Sequence, residues 1–336
     1  MKAALEKIWW RAAAPPWPLR LLEPLYAGIA DALAARRKAR AVRLPVPVIV
    51  IGNIAIGGTG KTPVTLALIE MLRALGATPG VLSRGYGGDG PFPLLVEPNT
   101  APADAGDEPV LMTQRSGVPL CVAPSRTEAG LALLAAHPEV NVLLCDDGLQ
   151  HYALARDLEF CVVDGARGHG NGHRLPAGPL REPPARAAQC ALVLVNGADA
   201  KGYGANALRF DLLAEQAIHL GSGERRPLSA FTGQTVEAVA GIGNPQRFFE
   251  SLSAQGMTVR PHAHADHHAF TAADLAFVGE VPVLMTEKDA VKCRLLKLPA
   301  DSNLWCVPVT AVFSQDAHER VQECLRTLLA SRRSTP

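Results

Sequence analysis

Short runs rich in Val, Ile and Leu alternate with amphipathic stretches from about residue 44 to 200. The runs at 46–51, 79–83, 119–123, 141–145, 159–163 and 190–195 carry little internal polarity, as strands buried on both faces require. Between them, 61–75, 107–116 and 126–137 place apolar residues at helical spacing. Strands alternating with helices predict an α/β fold, a mostly parallel sheet flanked by crossover helices. A second series follows: 239–244 leads into a helix at 245–255, then strands near 257–260, 282–286 and 304–309, then a closing helix at 315–331. We therefore expect a first domain over 44–203 and a second, smaller α/β domain over 204–336. The stretch 165–184 fits neither period, because glycine and proline crowd it. Loops of that length inside a domain usually serve function.

Composition narrows the picture. With 336 residues, 48% of them apolar, the chain can bury two cores, and a net charge of +1 gives no basic field suited to nucleic acid. The seven cysteines are odd in number and lack a C-x-x-C pair, and Cys145 and Cys161 sit inside apolar runs, so they read as small core residues in a reducing compartment. No apolar run approaches the roughly eighteen residues of a membrane span, and the first residues lack a small-residue cleavage pattern.

Residues 1–43 differ from the rest. Trp9, Trp10, Trp17 and Tyr26 fall here, Leu22, Leu25, Ile29 and Leu33 recur at helical spacing, and Arg36, Arg37, Lys38, Arg40 and Arg43 close the segment. Such a helix either lies in a membrane interface, with rings at headgroup depth and cations on anionic lipid, or packs on the core with a solvated basic end.

The chemistry concentrates after the first strand. Residues 55–62, Ala55-Ile-Gly57-Gly58-Thr59-Gly60-Lys61-Thr62, follow a β-branched run and precede a helical pattern, which is the strand, phosphate loop and helix of G-x-x-x-x-G-K-[ST]. A triphosphate needs backbone N–H groups aimed inward at close range, and glycines permit that turn. Lys61 then reaches the β- and γ-phosphates, and the Thr62 hydroxyl ligates Mg²⁺. Ala55 stands where the pattern has glycine, which a negative φ tolerates. Such a site also needs an acid at the end of a neighbouring strand, and 142–148 ends in Asp146-Asp147-Gly148. Paired carboxylates there repel unless a cation resolves them.

Further stretches are more specific. Residues 52–63, Ser83-Arg84-Gly85-Tyr86-Gly87, Gly106-Asp107-Glu108-Pro109, Asp146-Asp147-Gly148-Leu149-Gln150-His151, 178–183 with Leu180-Arg181-Glu182-Pro183, Asp266-His267 and 286–290 occur in the order seen in the lipid A 4'-kinases. Over nearly its whole length the chain resembles that family, the tetraacyldisaccharide 4'-kinases. The resemblance implies transfer of the ATP γ-phosphoryl group, with Mg²⁺, to the 4'-hydroxyl of a tetraacylated glucosamine disaccharide 1-phosphate, the lipid A disaccharide 1-phosphate. It also implies a peripheral enzyme at the cytoplasmic face of the bacterial inner membrane, with no nucleic-acid partner, and turns 1–43 into an expected docking element. A monomer is expected. The acid–base pair of the family falls on Asp107 and His267. Because Lys61 and His267 stand in different halves of the chain, domain closure on nucleotide is expected.

A sugar hydroxyl is a poor nucleophile, so an Asp–His pair could orient an imidazole or take the proton on either member. Taken alone, Asp107 ahead of Glu108-Pro109 also reads as a helix cap. Arg84 is a candidate to hold phosphate, and Arg181 and Glu182 are candidates for γ-phosphate stabilisation and organisation of the Mg²⁺ shell, the other reading being a surface ion pair. His262-Ala-His264-Ala-Asp266-His267-His268 imitates an H-x-H-x-D-H zinc cluster, but too little chain follows to complete a hydrolase of that type. Gly85 to Gly90 spells G-x-G-x-x-G, yet Pro91 and Pro93 forbid the helix a dinucleotide site must open. Asn196-Gly197 and Thr286 to Asp289, each ending a strand, could contact the base. The other class of reading is a regulatory P-loop NTPase, which has no use for Asp107 with His267.

Overall fold

The structure, a computed structural model, describes residues 2–11, 14–277, 279–296, 299 and 302–333. The chain forms two compact units, one of Met1–Arg84, Val118–Leu212 and Ala311–Pro336, the other of Gly85–Gly117 and Leu213–Thr310. The partition departs from the contiguous division near 203. Residues 85–117, with the helix Asp107–Ser116, belong to the second unit, and the chain end returns to the first.

In the first unit, Val48–Gly52 lies between Val142–Cys145 and Leu158–Asp164 and runs parallel to both. Pro79–Ser83 and Leu120–Val122 extend the sheet on one side, and Leu192–Asn196 and Ala207–Leu213 on the other, all in parallel pairs. The apolar runs of the sequence fall on these strands, and Ile49, Val50 and Ile51 have no exposed surface. The helix Lys61–Ala74 turns Val64, Leu68, Ile69 and Leu72 inward. The strand Ala207–Leu213 has no counterpart in the sequence reading, which ended the domain before it. Arg209 and Asp211 face outward and pair with each other at 3.0 Å, so the segment lacks the apolar run of its neighbours while Leu208 and Phe210 point in. The ring of Phe313 meets that of Phe210 at 5.9 Å, and Gln315–Arg333 buries Ala317, Val321 and Leu325, which explains why the end of the chain rejoins this unit.

Lys2–Trp9 and Trp17–Lys38 form helices, and residues 1, 12 and 13 of this segment lie outside the described residues. The second helix buries none of its residues, and Trp17, Leu21, Leu25 and Ile29 are 72%, 66%, 60% and 55% exposed. Its apolar face is therefore not packed on a core. Polar links hold it instead: Arg174 donates through both terminal nitrogens to Asp31 at 2.9 Å, and Glu23 accepts from the Arg174 backbone N–H and faces His173 Nδ1, each at 2.7 Å. These links tie the helix to the glycine–proline loop. No described helix is long and apolar enough to cross a membrane.

In the second unit, Leu304–Val307, Val283–Thr286, Thr235–Ala240 and Thr258–Ala263 pair in parallel, and Gln216–His219 and Arg225–Pro227 close one edge antiparallel. Trp305, Phe231, Phe248, Phe249 and Leu252 pack one core cluster, and Phe270, Met285, Ala290 and Cys306 another. The helix Asp107–Ser116 packs on Glu287–Cys293.

Candidate active site

Gly57 and Gly60 hold φ of 100° and 97°, and Gly60 is the residue from which Lys61–Ala74 starts. The loop thus takes a conformation that L side chains resist. Ala55 is not among the positive-φ residues and bridges to Leu180, so its methyl is accommodated. Asn53 braces the loop from within, donating to Gly57 O at 3.3 Å, and Asn196 donates to Thr59 O at 3.4 Å. Asn196 is 1% exposed, so it supports the phosphate loop and does not face a base. Gly58, Thr59 and Thr62 complete the turn into the helix N-terminus, where anions are favoured.

Lys61 Nζ lies 3.3 Å from Asn53 Oδ1 and 3.4 Å from Asp147 Oδ1, and Arg181 Nη1 lies 3.7 Å from the same carboxylate oxygen. Burial pushes the Asp147 carboxyl up, but Lys61 and Arg181 outweigh it and hold it below the ordinary range. Asp147 has φ 47°, a left-handed conformation rare outside glycine. The adjacent Asp146 is 1% exposed and accepts from Thr65 Oγ1 at 2.8 Å. The two acids therefore differ. Asp146 is buried against the helix that Lys61 opens, and Asp147 joins the cations. Sequence reasoning missed Thr65, although it sits one helical turn after Lys61 on the inward face.

The glycine–proline loop is zipped to this site by its backbone: Ile56 N–H donates to Pro179 O at 2.9 Å and Arg181 N–H to Ile54 O at 2.7 Å. Arg181 Nη1 donates to Gln150 Oε1 at 3.0 Å. Glu182 accepts from Gln150 Nε2 at 2.7 Å and from Tyr152 O–H at 2.5 Å. Arg181 and Glu182 are thus not a surface ion pair; Gln150 joins them. Arg84 is exposed at the end of Pro79–Ser83. It belongs to a group of cations around His151, whose pKa burial, then Arg126, Arg156, Arg37 and Arg84, depress to about 4. His151 is accordingly neutral, with Nε2 accepting from Arg126 N–H at 3.3 Å.

In the second unit the cap of Asp107–Ser116 is Gly106, not Asp107. Asp107 Oδ1 accepts from Glu108 N–H at 2.9 Å, and Oδ2 lies 3.1 Å from His267 Nδ1. Burial pushes Asp107 up, and the His267 hydrogen bond, Lys288 and Lys292 bring it below the ordinary carboxyl value. For His267 the Asp107 hydrogen bond dominates and raises the imidazole above its usual value. His267 also sits at φ 60°, and its ring stands 5.2 Å from that of Tyr86. A carboxylate on Nδ1 favours the tautomer with the proton on that nitrogen, leaving Nε2 with Asp266 Oδ1 at 3.8 Å.

The histidine cluster disperses. His262 Nε2 goes to Glu237 at 2.7 Å and its ring stacks on Phe277, while the rings of His264 and His268 stack 25° from parallel and His268 faces Asp274. Among the described residues only His264, His268 and Asp274 come within reach of one another, so the zinc-hydrolase pattern is not assembled. Residues 84–93 form no helix, as their prolines require. Asp289 has no exposed surface and turns its carboxylate onto Gly241 N–H and Thr286 Oγ1, so it is not presented to a base.

Asp146, Asp147 and the Thr62 hydroxyl are hard oxygen donors near a phosphate loop, a set suited to Mg²⁺ and unsuited to softer metals.

A parallel sheet whose central strand delivers a glycine loop onto Lys61-Thr62, with acids ending the neighbouring strand, defines a P-loop nucleotide-binding α/β protein. A family model described as tetraacyldisaccharide-1-P 4'-kinase matches residues 13–327. The tetraacyldisaccharide 4'-kinase of Stenotrophomonas maltophilia (strain R551-3) is 52% identical over 299 residues, covering 85% of this chain and 87% of that protein. That of Pseudomonas putida (strain GB-1) is 49% identical over 327 residues, covering 94% and 96%. A crystal structure of LpxK from Aquifex aeolicus in complex with ATP matches with a TM-score of 0.75 and 24% identity over 91% of this chain and 97% of that one, and so shares the fold. The chain belongs to the tetraacyldisaccharide 4'-kinase family and is an ATP-dependent kinase of the lipid A precursor.

Proposed function

We propose that Asp107 and His267 accept the proton of the 4'-hydroxyl while the phosphate loop holds ATP. The loop amides and helix N-terminus cradle the phosphates, and Lys61 and Arg181 neutralise charge on the transferring γ-phosphoryl group. Arg84 adds a cation for phosphate. Thr62, Asp146 and Asp147 would hold Mg²⁺, with Glu182 ordering the surrounding groups through Gln150 and Tyr152. When bound, the metal neutralises charge on the β- and γ-oxygens. The bond from the 4'-oxygen to γ-phosphorus forms as the bond to the β-bridging oxygen breaks. ADP leaves, and the hydroxyl proton passes to the pair, at His267 Nε2 with Nδ1–H held by Asp107.

The observation that carries this reading is the 3.1 Å contact between His267 Nδ1 and Asp107 Oδ2, since a regulatory NTPase needs no such pair. The exposed apolar face of Trp17–Lys38, ending in exposed Arg36, Arg37, Lys38 and Arg40, supports peripheral docking on the cytoplasmic face of the inner membrane. Arg43 is held by Asp157 at 2.7 Å and contributes less. The reading takes the enzyme as a monomer with no nucleic-acid partner.

The test is transfer of labelled γ-phosphate from ATP to detergent-dispersed lipid A disaccharide 1-phosphate by wild type, His267→Ala and Lys61→Ala. Loss of most of the rate in both variants supports the assignment. Full activity of His267→Ala removes the acid–base role.

A further inference from the structure

Behind Asp107 and His267 lies a second pair that the reaction as described does not use. Asp289 and Lys292 are three residues apart on Glu287–Cys293, on one face of that helix. Asp289 Oδ1 is 2.9 Å from Lys292 Nζ. Its Oδ2 accepts from Gly241 N–H at 2.8 Å and from Thr286 Oγ1 at 2.6 Å. Gly241 O in turn accepts from His267 N–H at 3.2 Å. The Lys292 side chain is 11% exposed, with Nζ 3.9 Å from Asp107 Oδ2 and 5.2 Å from the centre of the Phe270 ring.

A buried ammonium requires countercharge, and a buried carboxylate requires donors. Here each answers the other and also reaches one member of the acid–base pair, Lys292 by charge on Asp107 and Asp289 through Gly241 on the backbone of His267. We infer that Lys292 and Asp289 are positioning residues of the kinase reaction: Lys292 keeps Asp107 ionised and Asp289 holds His267 in its left-handed conformation. The inference rests on the proposed role of Asp107 and His267. Sequence spacing places the two residues on one helical face but does not aim that face at Asp107, which is 182 or more positions earlier in the chain.

Other charges face the pair. Lys288 acts on Asp107 and His267 while its Nζ is bonded to Glu108 Oε1 at 2.7 Å, and Asp266 Oδ1 lies 3.8 Å from His267 Nε2. Lys288 is committed to Glu108, whereas Lys292 acts on Asp107 by charge at 3.9 Å, so removing Lys292 changes the charge on the Asp107 side and leaves the Lys288–Glu108 bond in place. Removing its charge favours every protonated state of the pair.

The test follows the His267 imidazole by NMR titration and the acid limb of kcat/KM, in wild type, Lys292→Met, Lys292→Arg and Asp289→Asn, with nucleotide binding to each protein measured alongside. The expected result is a rise of about one pH unit in both midpoints for Lys292→Met, a return toward wild type for Lys292→Arg, and unchanged ATP affinity. Asp289→Asn, which leaves the Lys292 charge uncompensated, should move both midpoints down. Unmoved midpoints in a folded Lys292→Met overturn the inference, as does a loss of rate at all pH values with no shift. If Lys292→Met does not fold, the opposition between Lys292→Arg and Asp289→Asn decides the same point: equal midpoints in both reject it. Full transfer activity in His267→Ala would instead reject the underlying reading, even if the His267 resonance still responds to Lys292.

Discussion

His267 Nδ1 stands 3.1 Å from Asp107 Oδ2, and each residue moves the other's titration in the direction that keeps the contact charged. Asp107 is depressed below its ordinary value, so its share of stability is present above that value and lost as pH falls through the folded one. His267 is raised, so its share is full below 6.5 and fades as pH rises through the folded value. The pair therefore stabilises most between the two. Thermal unfolding should show His267→Ala to be more destabilising near pH 5.5 than near pH 9, by about 1 kcal/mol. An equal loss at both would mean the contact is not charged. The imidazole midpoint should also fall in Asp107→Asn.

Lys61 meets Asp147 at 3.4 Å and opens the helix that follows the glycine loop. In the reaction proposed above, replacing it with alanine removes a cation that neutralises the transferring group, and kcat should drop by about 10²–10³-fold. Steady-state transfer assays check this. A drop confined to KM would place Lys61 in ground-state binding alone.

Asp147 occupies φ 47°, where asparagine is tolerated and alanine costs about 1–2 kcal/mol. Urea unfolding should therefore find Asp147→Ala less stable than Asp147→Asn, while both lose transfer activity. Equal stabilities would show that the conformation relaxes when the side chain is cut.

A Cβ on Gly52 would fall 2.5 Å from Leu149 Cβ and 2.8 Å from Leu149 N. The strand that carries the phosphate loop and the stretch that carries the two acids touch there without room for a methyl. Gly52→Ala should cost about 1–3 kcal/mol in chemical denaturation, and nucleotide affinity should fall with it.

Leu25 and Ile29 are 60% and 55% exposed on the N-terminal helix. Leu25→Glu with Ile29→Glu should abolish sedimentation with anionic vesicles, leave unfolding within about 0.5 kcal/mol of wild type, and spare activity on detergent-dispersed substrate. Loss of stability instead would show that the face is covered in solution.

Local chemistry made the strand, glycine turn and helix around Lys61 legible from the chain alone. A β-branched run, a glycine turn and Lys61-Thr62 are contiguous, so their geometry is set by short-range sterics and a helix N-terminus. The strands buried on both faces were equally readable, because burial demands apolar runs. The Asp107–His267 contact, proposed as the acid–base pair, joins residues 160 positions apart, and on periodicity alone Asp107 reads as a helix cap. Only the packing of Asp107–Ser116 against Glu287–Cys293 brings Lys288 and Lys292 to it. The division of the chain was likewise a tertiary matter. Residues 85–117 leave the first unit, and residues 207–212 and the chain end join it, through sheet pairing and the contact of Phe210 with Phe313. Pairings between distant segments depend on which buried faces fit together, which nearest-neighbour patterns along the chain do not encode.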